Sequence, residues 1–288
     1  MNQSFSKKRV LVVYKRSNLD ILELTAEDRA AAERVFRRGH DTHARSIAAV
    51  RAALDGLNAK QTWLRRDKLR PFAESRFDLV LTVGGDGTLL SVAQHLHKVP
   101  ALALNSAPKD SVGYFAAVNA DSVGDYVNDI FAGRRTPQAI TRLGVWIHGA
   151  PAGPPALNEV LYAHPAPAAT TRFAIRPPGE RGYEEQKTSG LWVATAIGST
   201  GAIGSAGGKL CDPASDSLQY IVREPYSEGR PYRHTRGFLT PRQKLRLESR
   251  MPLSVLYFDG WSVTVPVRFG ALVEFGVHAT PLYLFRAG

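Results

Sequence analysis

Phe77-Asp78-Leu79-Val80-Leu81-Thr82-Val83, followed at once by Gly84-Gly85-Asp86-Gly87-Thr88-Leu89-Leu90, is the stretch whose reading decides the fold. Its first half is an apolar run ended by glycine, which reads as a buried strand. Its second half opens a helix on Leu89, Leu90, Val92, Ala93 and Leu96. Glycines let the backbone come close to a phosphate, and a helix N-terminus offers free N–H groups and a partial positive charge. Thr88 can cap the helix or bond an oxygen, and Asp86 has two uses: taking a proton from an attacking hydroxyl, or holding a magnesium ion. A tight turn would explain a bare Gly-Asp-Gly. The strand, double glycine, threonine and helix together favour phosphate chemistry, in a spacing that matches neither a Walker A loop nor a Gly-x-Gly-x-x-Gly fingerprint.

Upstream, residues 10–14 form a β-branched run that reads as a first strand. Residues 25–38 read as a helix opened by Thr25 with Asp28 three positions on. Ile47, Val50, Leu54 and Leu57 give a second amphipathic helix over 43–57. Residues 101–104 read as the next strand, so strands alternate with helices as in parallel βαβ units. After about residue 112 the texture changes to many glycines and prolines with short β-rich runs at 143–148, 171–175, 191–195, 244–248, 253–257 and 263–267. The stretch 150–156 reads as a loop. The expected fold is therefore an N-terminal α/β nucleotide domain over 1–112 with parallel strands, and a C-terminal antiparallel all-β domain over 113–271.

The formal charge is +11, and residues 1–76 hold 17 Lys and Arg against 9 Asp and Glu, so an anionic partner suits the first domain. Nucleic acid is the weaker form of that reading, because the basic residues are scattered without a reader motif. No run of about 18 apolar residues points to a membrane span. The single cysteine, Cys211, has no partner in the chain for a disulfide, which fits a reducing compartment such as the cytoplasm. His40, His43, His95 and His97 lack a zinc-ligand pattern and read as surface or packing residues.

Gly-Gly-Asp-Gly-Thr occurs in phosphofructokinases, in diacylglycerol and sphingosine kinases and in NAD kinases, so it indicates a kinase and not a substrate. Downstream blocks narrow the choice. Asn105, Gly113-Tyr114-Phe115, Ala156-Leu157-Asn158-Glu159, and Gly190 to Thr195 followed by Gly198-Ser199-Thr200 and Ser205-Ala206-Gly207-Gly208 resemble, in order and spacing, the NAD kinase family. The likeness is strongest to the NADH kinase branch known from plants. The resemblance implies a kinase that moves a phosphoryl group from ATP, with Mg2+ or another divalent cation, to the 2'-hydroxyl of the adenosine ribose of NADH or NAD. It also implies a homo-oligomer, dimer or tetramer, in which segment 272–288 packs back onto the first domain.

By that resemblance Asp86 is the catalytic acid-base residue, and Gly84, Gly85, Gly87 and Thr88 bind the phosphates of ATP. Asp86, Gly87, Asn158, Glu159, Ser189, Thr195, Thr200, Gly201, Ala202 and Ser205 line the dinucleotide. Asp259-Gly260 resembles a family Asp-Gly pair, which a hairpin turn explains as well. Two positions depart from the family pattern. Ala202 stands where a tyrosine is usual, and Ser189 where an aspartate is usual; a lost carboxylate near the nicotinamide would favour the uncharged NADH ring over cationic NAD. Two rival readings stay open: a kinase of a lipid or sugar phosphate sharing the Gly-Gly-Asp-Gly-Thr loop, and a dinucleotide-sensing protein without catalysis.

Overall fold

The computed structural model describes residues 7–21, 26–109, 111–227, 229 and 231–287. They divide into two compact units, residues 1–139 with 282–288, and residues 140–281.

The first unit is built on parallel strands in the order Lys60–Arg65, Arg9–Tyr14, Leu79–Gly84, Ala101–Asn105 and Leu282–Phe285, with Gln138–Ile140 at the edge where the chain leaves the unit. The inner strands are apolar along their whole length, as expected when both faces are covered. Leu79–Gly84 and Ala101–Asn105 are buried at every residue. Val10, Val12, Leu79, Leu81, Val83, Leu102 and Leu104 share one core with Val50 and Leu54 of the long helix and with Val123, Tyr126 and Val127 of the helix Val123–Phe131.

Three sequence expectations change here. The two helices read over 25–38 and 43–57 are one helix, Ala26–Gly56, of 31 residues. Gly39 weakens a helix interior without breaking it, since it removes no hydrogen bond. Thr25, read as the N-cap, lies outside the described residues. The first unit also runs on past residue 112 to Ala139, because Val123–Phe131 docks its apolar face onto the same core. At the other end only 282–288 returns to it: Leu272–Val277 belongs to the second unit, paired with Leu245–Ser249 and Leu143–Ile147.

The second unit holds two six-stranded antiparallel sheets. One runs Glu184–Thr188, Thr171–Arg176, Leu245–Ser249, Leu272–Val277, Leu143–Ile147 and Ala150–Pro151; the other runs Arg236–Leu239, Leu218–Arg223, Gly190–Thr195, Glu159–Ala163, Leu253–Phe258 and Thr264–Arg268. The stretch read as a loop at 150–156 thus contributes a two-residue strand. Val145, Phe173, Ile175, Leu247 and Phe275 from one sheet and Val160, Tyr162, Leu191, Val193 and Phe258 from the other fill a common interior. This is face-to-face packing of sheets whose apolar residues alternate inward. Among the described residues no helix is long and apolar enough to cross a membrane.

Candidate active site

In the first unit the site is the turn at the carboxyl end of Leu79–Gly84. Gly84 ends the strand, Gly85 caps the helix Asp86–Ala93, and Asp86 stands in its first turn. A side chain on Gly84 would run into Thr88 Oγ1, so the glycine is required by close packing. That packing encloses Thr88, which is 1% exposed, with its hydroxyl lacking a partner. Thr88 is therefore placed beneath the turn, whereas Gly85 is half-buried and Gly87 exposed.

The Asp86 carboxylate reaches across to a second turn. Its Oδ2 accepts the Tyr114 N–H at 3.0 Å and its Oδ1 the Phe115 N–H at 3.1 Å. Gly113, just before them, has φ +60°, and a side chain there would strike Asn105. Asn105 closes the loop from the other side, donating from Nδ2 to the Ser111 carbonyl at 2.9 Å and accepting the Ala107 N–H at 3.0 Å. A carboxylate offers about four lone-pair positions. Asp86 uses one on each oxygen for the backbone, and one on each is left to accept another donor.

Two cations beside this turn were not singled out in the sequence. Lys15 Cγ lies 3.4 Å from where a Gly84 side chain would begin, and Arg66 Nη1 lies 3.5 Å from the same point on Gly87. Their positions, 69 and 21 residues ahead of the glycines they flank, carry no local pattern. Only strand order could have pointed to Lys15, which follows the strand next to Leu79–Gly84.

In the second unit the structure gathers Asn158, Glu159, Thr195, Gly201 and Ala202. Thr195 is the pin: its N–H donates to the Asn158 carbonyl at 2.9 Å, its hydroxyl donates to the Leu157 carbonyl at 2.6 Å, and it accepts the Gly198 N–H at 3.0 Å. Gly198 has no room for a side chain against the Asn158 carbonyl, and one on Gly201 would meet Glu159 Oε2 at 2.5 Å. Glu159 is buried, and its Oε2 has no partner. Burial, reinforced by the charge of Asp259, pushes its carboxyl up to about 7 against the Ala202 N–H that favours the ion.

Asp259 holds this cluster from the tip of the Leu253–Phe258 strand. Its Oδ2 accepts the Leu157 N–H at 2.7 Å, and its Oδ1 accepts the Asn158 and Glu159 N–H groups at 2.7 and 3.1 Å. It does so with φ +49°, a conformation few non-glycine residues adopt. Desolvation raises its carboxyl to about 6 in spite of those three donors. The sequence offered a hairpin turn for Asp259-Gly260; the structure adds a buried job for the carboxylate.

The remaining expected residues fall elsewhere in that unit. Thr200 and Ser205 are exposed on the short segment after Thr195. Ser189 stands before Gly190–Thr195, at the end of the strand opposite Thr195. At about 3.3 Å per residue this is about 20 Å from the Thr195 cluster. It lines a separate cavity of about 180 Å³ with His164, Arg223 and Tyr257.

Residues 6–135 match the family model described as the ATP-NAD kinase N-terminal domain. A probable NADH kinase of Oryza sativa subsp. japonica is 32% identical over 233 residues, covering 73% of this chain and 70% of that protein. The NADH kinase of Arabidopsis thaliana is 32% identical over 242 residues, with 77% and 76% covered. The chain belongs to the NAD kinase family. Its fold is that of an NAD kinase from Archaeoglobus fulgidus solved in complex with ATP, with TM-score 0.68, 21% identity and 96% and 93% of the two chains covered. It is equally that of yeast NADH kinase complexed with NADH, with TM-score 0.71, 16% identity and 98% and 84% covered. The α/β unit with parallel strands and the antiparallel β unit are thus the family's two-domain fold.

Proposed function

We propose that this chain transfers the γ-phosphoryl group of ATP to the 2'-hydroxyl of the adenosine ribose of NADH or NAD, making NADPH or NADP. Membership in the family makes it a kinase, a transferase acting on NAD(H) with ATP. The observation that carries the finer reading is the Asp86 carboxylate, fixed by two backbone N–H groups and still able to accept on each oxygen. As the ribose oxygen attacks the γ-phosphorus, its proton passes to Asp86 and ADP leaves; such a base is worth about 100-fold or more. Gly84, Gly85 and Gly87 offer close backbone approach to the phosphates, next to the helix N-terminus. Thr88, enclosed beneath the turn, supports that backbone. In the second unit Asn158 and Glu159 hold the dinucleotide, since an amide donates and accepts and a carboxylate takes two ribose hydroxyl protons.

A divalent cation fits these residues as a companion of the donor. Magnesium prefers one or two carboxylates completed by phosphate and water oxygens. Among the described residues no three His, Cys, Asp or Glu side chains converge on a protein-only site. The cation supplies charge neutralisation on the phosphates when bound. We further assign the chain to a homo-oligomer in the cytoplasm, on the family resemblance and on Cys211 having no cysteine to pair with; light scattering on the purified protein tests the assembly.

Purified protein incubated with MgATP and either NAD or NADH, with enzymatic detection of NADP(H), tests the activity. Formation of NADP or NADPH is the expected result. No product from either substrate defeats the kinase reading and leaves dinucleotide sensing.

A further inference from the structure

Arg142 has no part in the chemistry described so far, yet it sits where few cations do. It is fully buried, and among the described residues no other lysine or arginine is buried. Its Nε donates to the Thr280 carbonyl at 2.9 Å, and its own carbonyl accepts the His278 N–H at 2.8 Å. These bonds join the first residues of the second unit, which begins at Ile140, to its last, which end at Pro281. A backbone carbonyl alone does not compensate a buried guanidinium; a charge taken out of water also requires an opposite charge.

The neighbouring stretch of chain brings one. Leu143 and Ala156 exchange two backbone hydrogen bonds of 2.9 Å each. The residues next to that bridge are Arg142 on one side and Leu157 on the other, and the Leu157 N–H is the one that Asp259 Oδ2 accepts at 2.7 Å. The electrostatics agree with this placement: desolvation lifts the Asp259 carboxyl, and the Arg142 charge is among the influences that pull it back down. Asp259 holds the N–H groups of residues 157–159, and an ionised acceptor holds such donors more tightly than a neutral one. The other carboxylate of the turn, Glu159, is left to a ligand, since its Oε2 is enclosed without a partner.

We propose that Arg142 is a positioning residue for dinucleotide binding: its guanidinium is the buried counter-charge of Asp259, and through Asp259 it fixes the turn that presents Asn158 and Glu159. The proposal rests on the reading that this turn holds the dinucleotide. A side chain that only filled space would behave differently. Removing one member of a buried ion pair strands the other charge, whereas removing both together is often neutral. A space-filling arginine would cost the same to remove whether or not Asp259 were charged.

The test is a double-mutant cycle on the full chain with Arg142→Met, Asp259→Asn and the two combined, read by urea unfolding and by calorimetric titration with NADH and with MgATP. Arg142→Met should weaken NADH binding by about tenfold or more in the native background and by less than about twofold in Asp259→Asn. The unfolding equilibrium should show the same coupling, and MgATP affinity should change by less than about twofold. Equal losses in both backgrounds overturn the pairing. If Arg142→Met does not fold, the combined variant decides: folded protein supports the pairing, because cation and anion leave together, and a second failure to fold overturns it. Glu159→Ala separates this from the reading of the site. Coupling in urea with unchanged NADH affinity in both Arg142→Met and Glu159→Ala takes the dinucleotide away from this turn, and the positioning role with it. Additive losses beside a weakened Glu159→Ala overturn the role of Arg142 alone.

Discussion

Each unit has an aspartate whose carboxylate ties a distant turn through backbone N–H groups, and the two do different work. Asp86 accepts two such bonds, at 3.0 and 3.1 Å, one on each oxygen. Asp259 accepts three, two of them at 2.7 Å, and desolvation lifts its carboxyl to about 6. Both are followed by glycine, so the dipeptide alone cannot separate them. What separates them is how much of the carboxylate the backbone consumes. Asp86 keeps acceptor capacity on both oxygens, which the role proposed for it as a base requires; Asp259 spends more of its capacity on the backbone of residues 157–159.

The largest effect is expected at Asp86. Asp86→Asn should lower kcat by about 100-fold or more, the scale of a lost acid-base group. Since the amide can accept only one of the two N–H groups, the melting temperature should fall a little as well. A folded variant with near-normal kcat would make the two aspartates alike, both structural.

Asp259→Ala should show the opposite balance. Three backbone N–H groups lose their acceptor, and a buried unpaired donor costs about 1 to 3 kcal/mol. Relief of the desolvated carboxylate offsets part of this, so a net loss of about 2 to 3 kcal/mol is expected in urea unfolding. Dinucleotide affinity should fall with it, because Asn158 and Glu159 are presented by the turn that Asp259 fixes. A variant with wild-type stability and lower kcat would put Asp259 in the chemistry.

Glu159 sharpens the same contrast through pH. Its folded carboxyl sits at about 7 against an ordinary 4.5, and that of Asp259 at about 6 against 3.8, both chiefly through desolvation. A group whose folded value is raised binds protons more readily when folded. Its stabilisation is therefore full in acid and is lost as pH climbs through the folded value. Stability should drop by about 2 kcal/mol between pH 5 and 8, and Glu159→Gln should flatten that slope. Dinucleotide binding should move the other way, with KM rising as pH falls below about 7, because only the ion accepts two hydroxyl protons. A stability curve of equal slope in Glu159→Gln would show that its proton is not linked to folding.

What the sequence made legible follows contact range. The strand, glycine turn and helix at 77–96 are local, and so is the alternation along 171–175 or 253–257; all appear where the residue pattern puts them. The helix Ala26–Gly56 was split because Gly39 to His43 carries no apolar residue to sustain the periodicity. The jobs of Asp86 and Asp259 depend on partners 28 to 102 residues away, and no local spacing encodes those. Lys15 and Arg66 were missed for the same reason.

The smallest expected effect is at Ser189, where the sequence suggested a preference for NADH through a missing carboxylate. That reading needed residue 189 within about 4 Å of the nicotinamide, where a unit charge is worth about 1 to 4 kcal/mol. Ser189 instead lies at the far end of Gly190–Thr195 from the cluster that holds Glu159, about 20 Å along the strand. Arg223 Nη1 is 3.5 Å from the Ser189 carbonyl and lines the same cavity, so an aspartate here would face a cation at once. At about 20 Å and a dielectric of about 80 a charge is worth about 0.2 kcal/mol, and the arginine cancels part of it. Ser189→Asp should then move the NADH to NAD ratio of kcat/KM by no more than about twofold. A shift of about tenfold toward NAD would place the nicotinamide beside Ser189 and restore the electrostatic account. A smaller one leaves any NADH preference to groups that act on the ring from closer range.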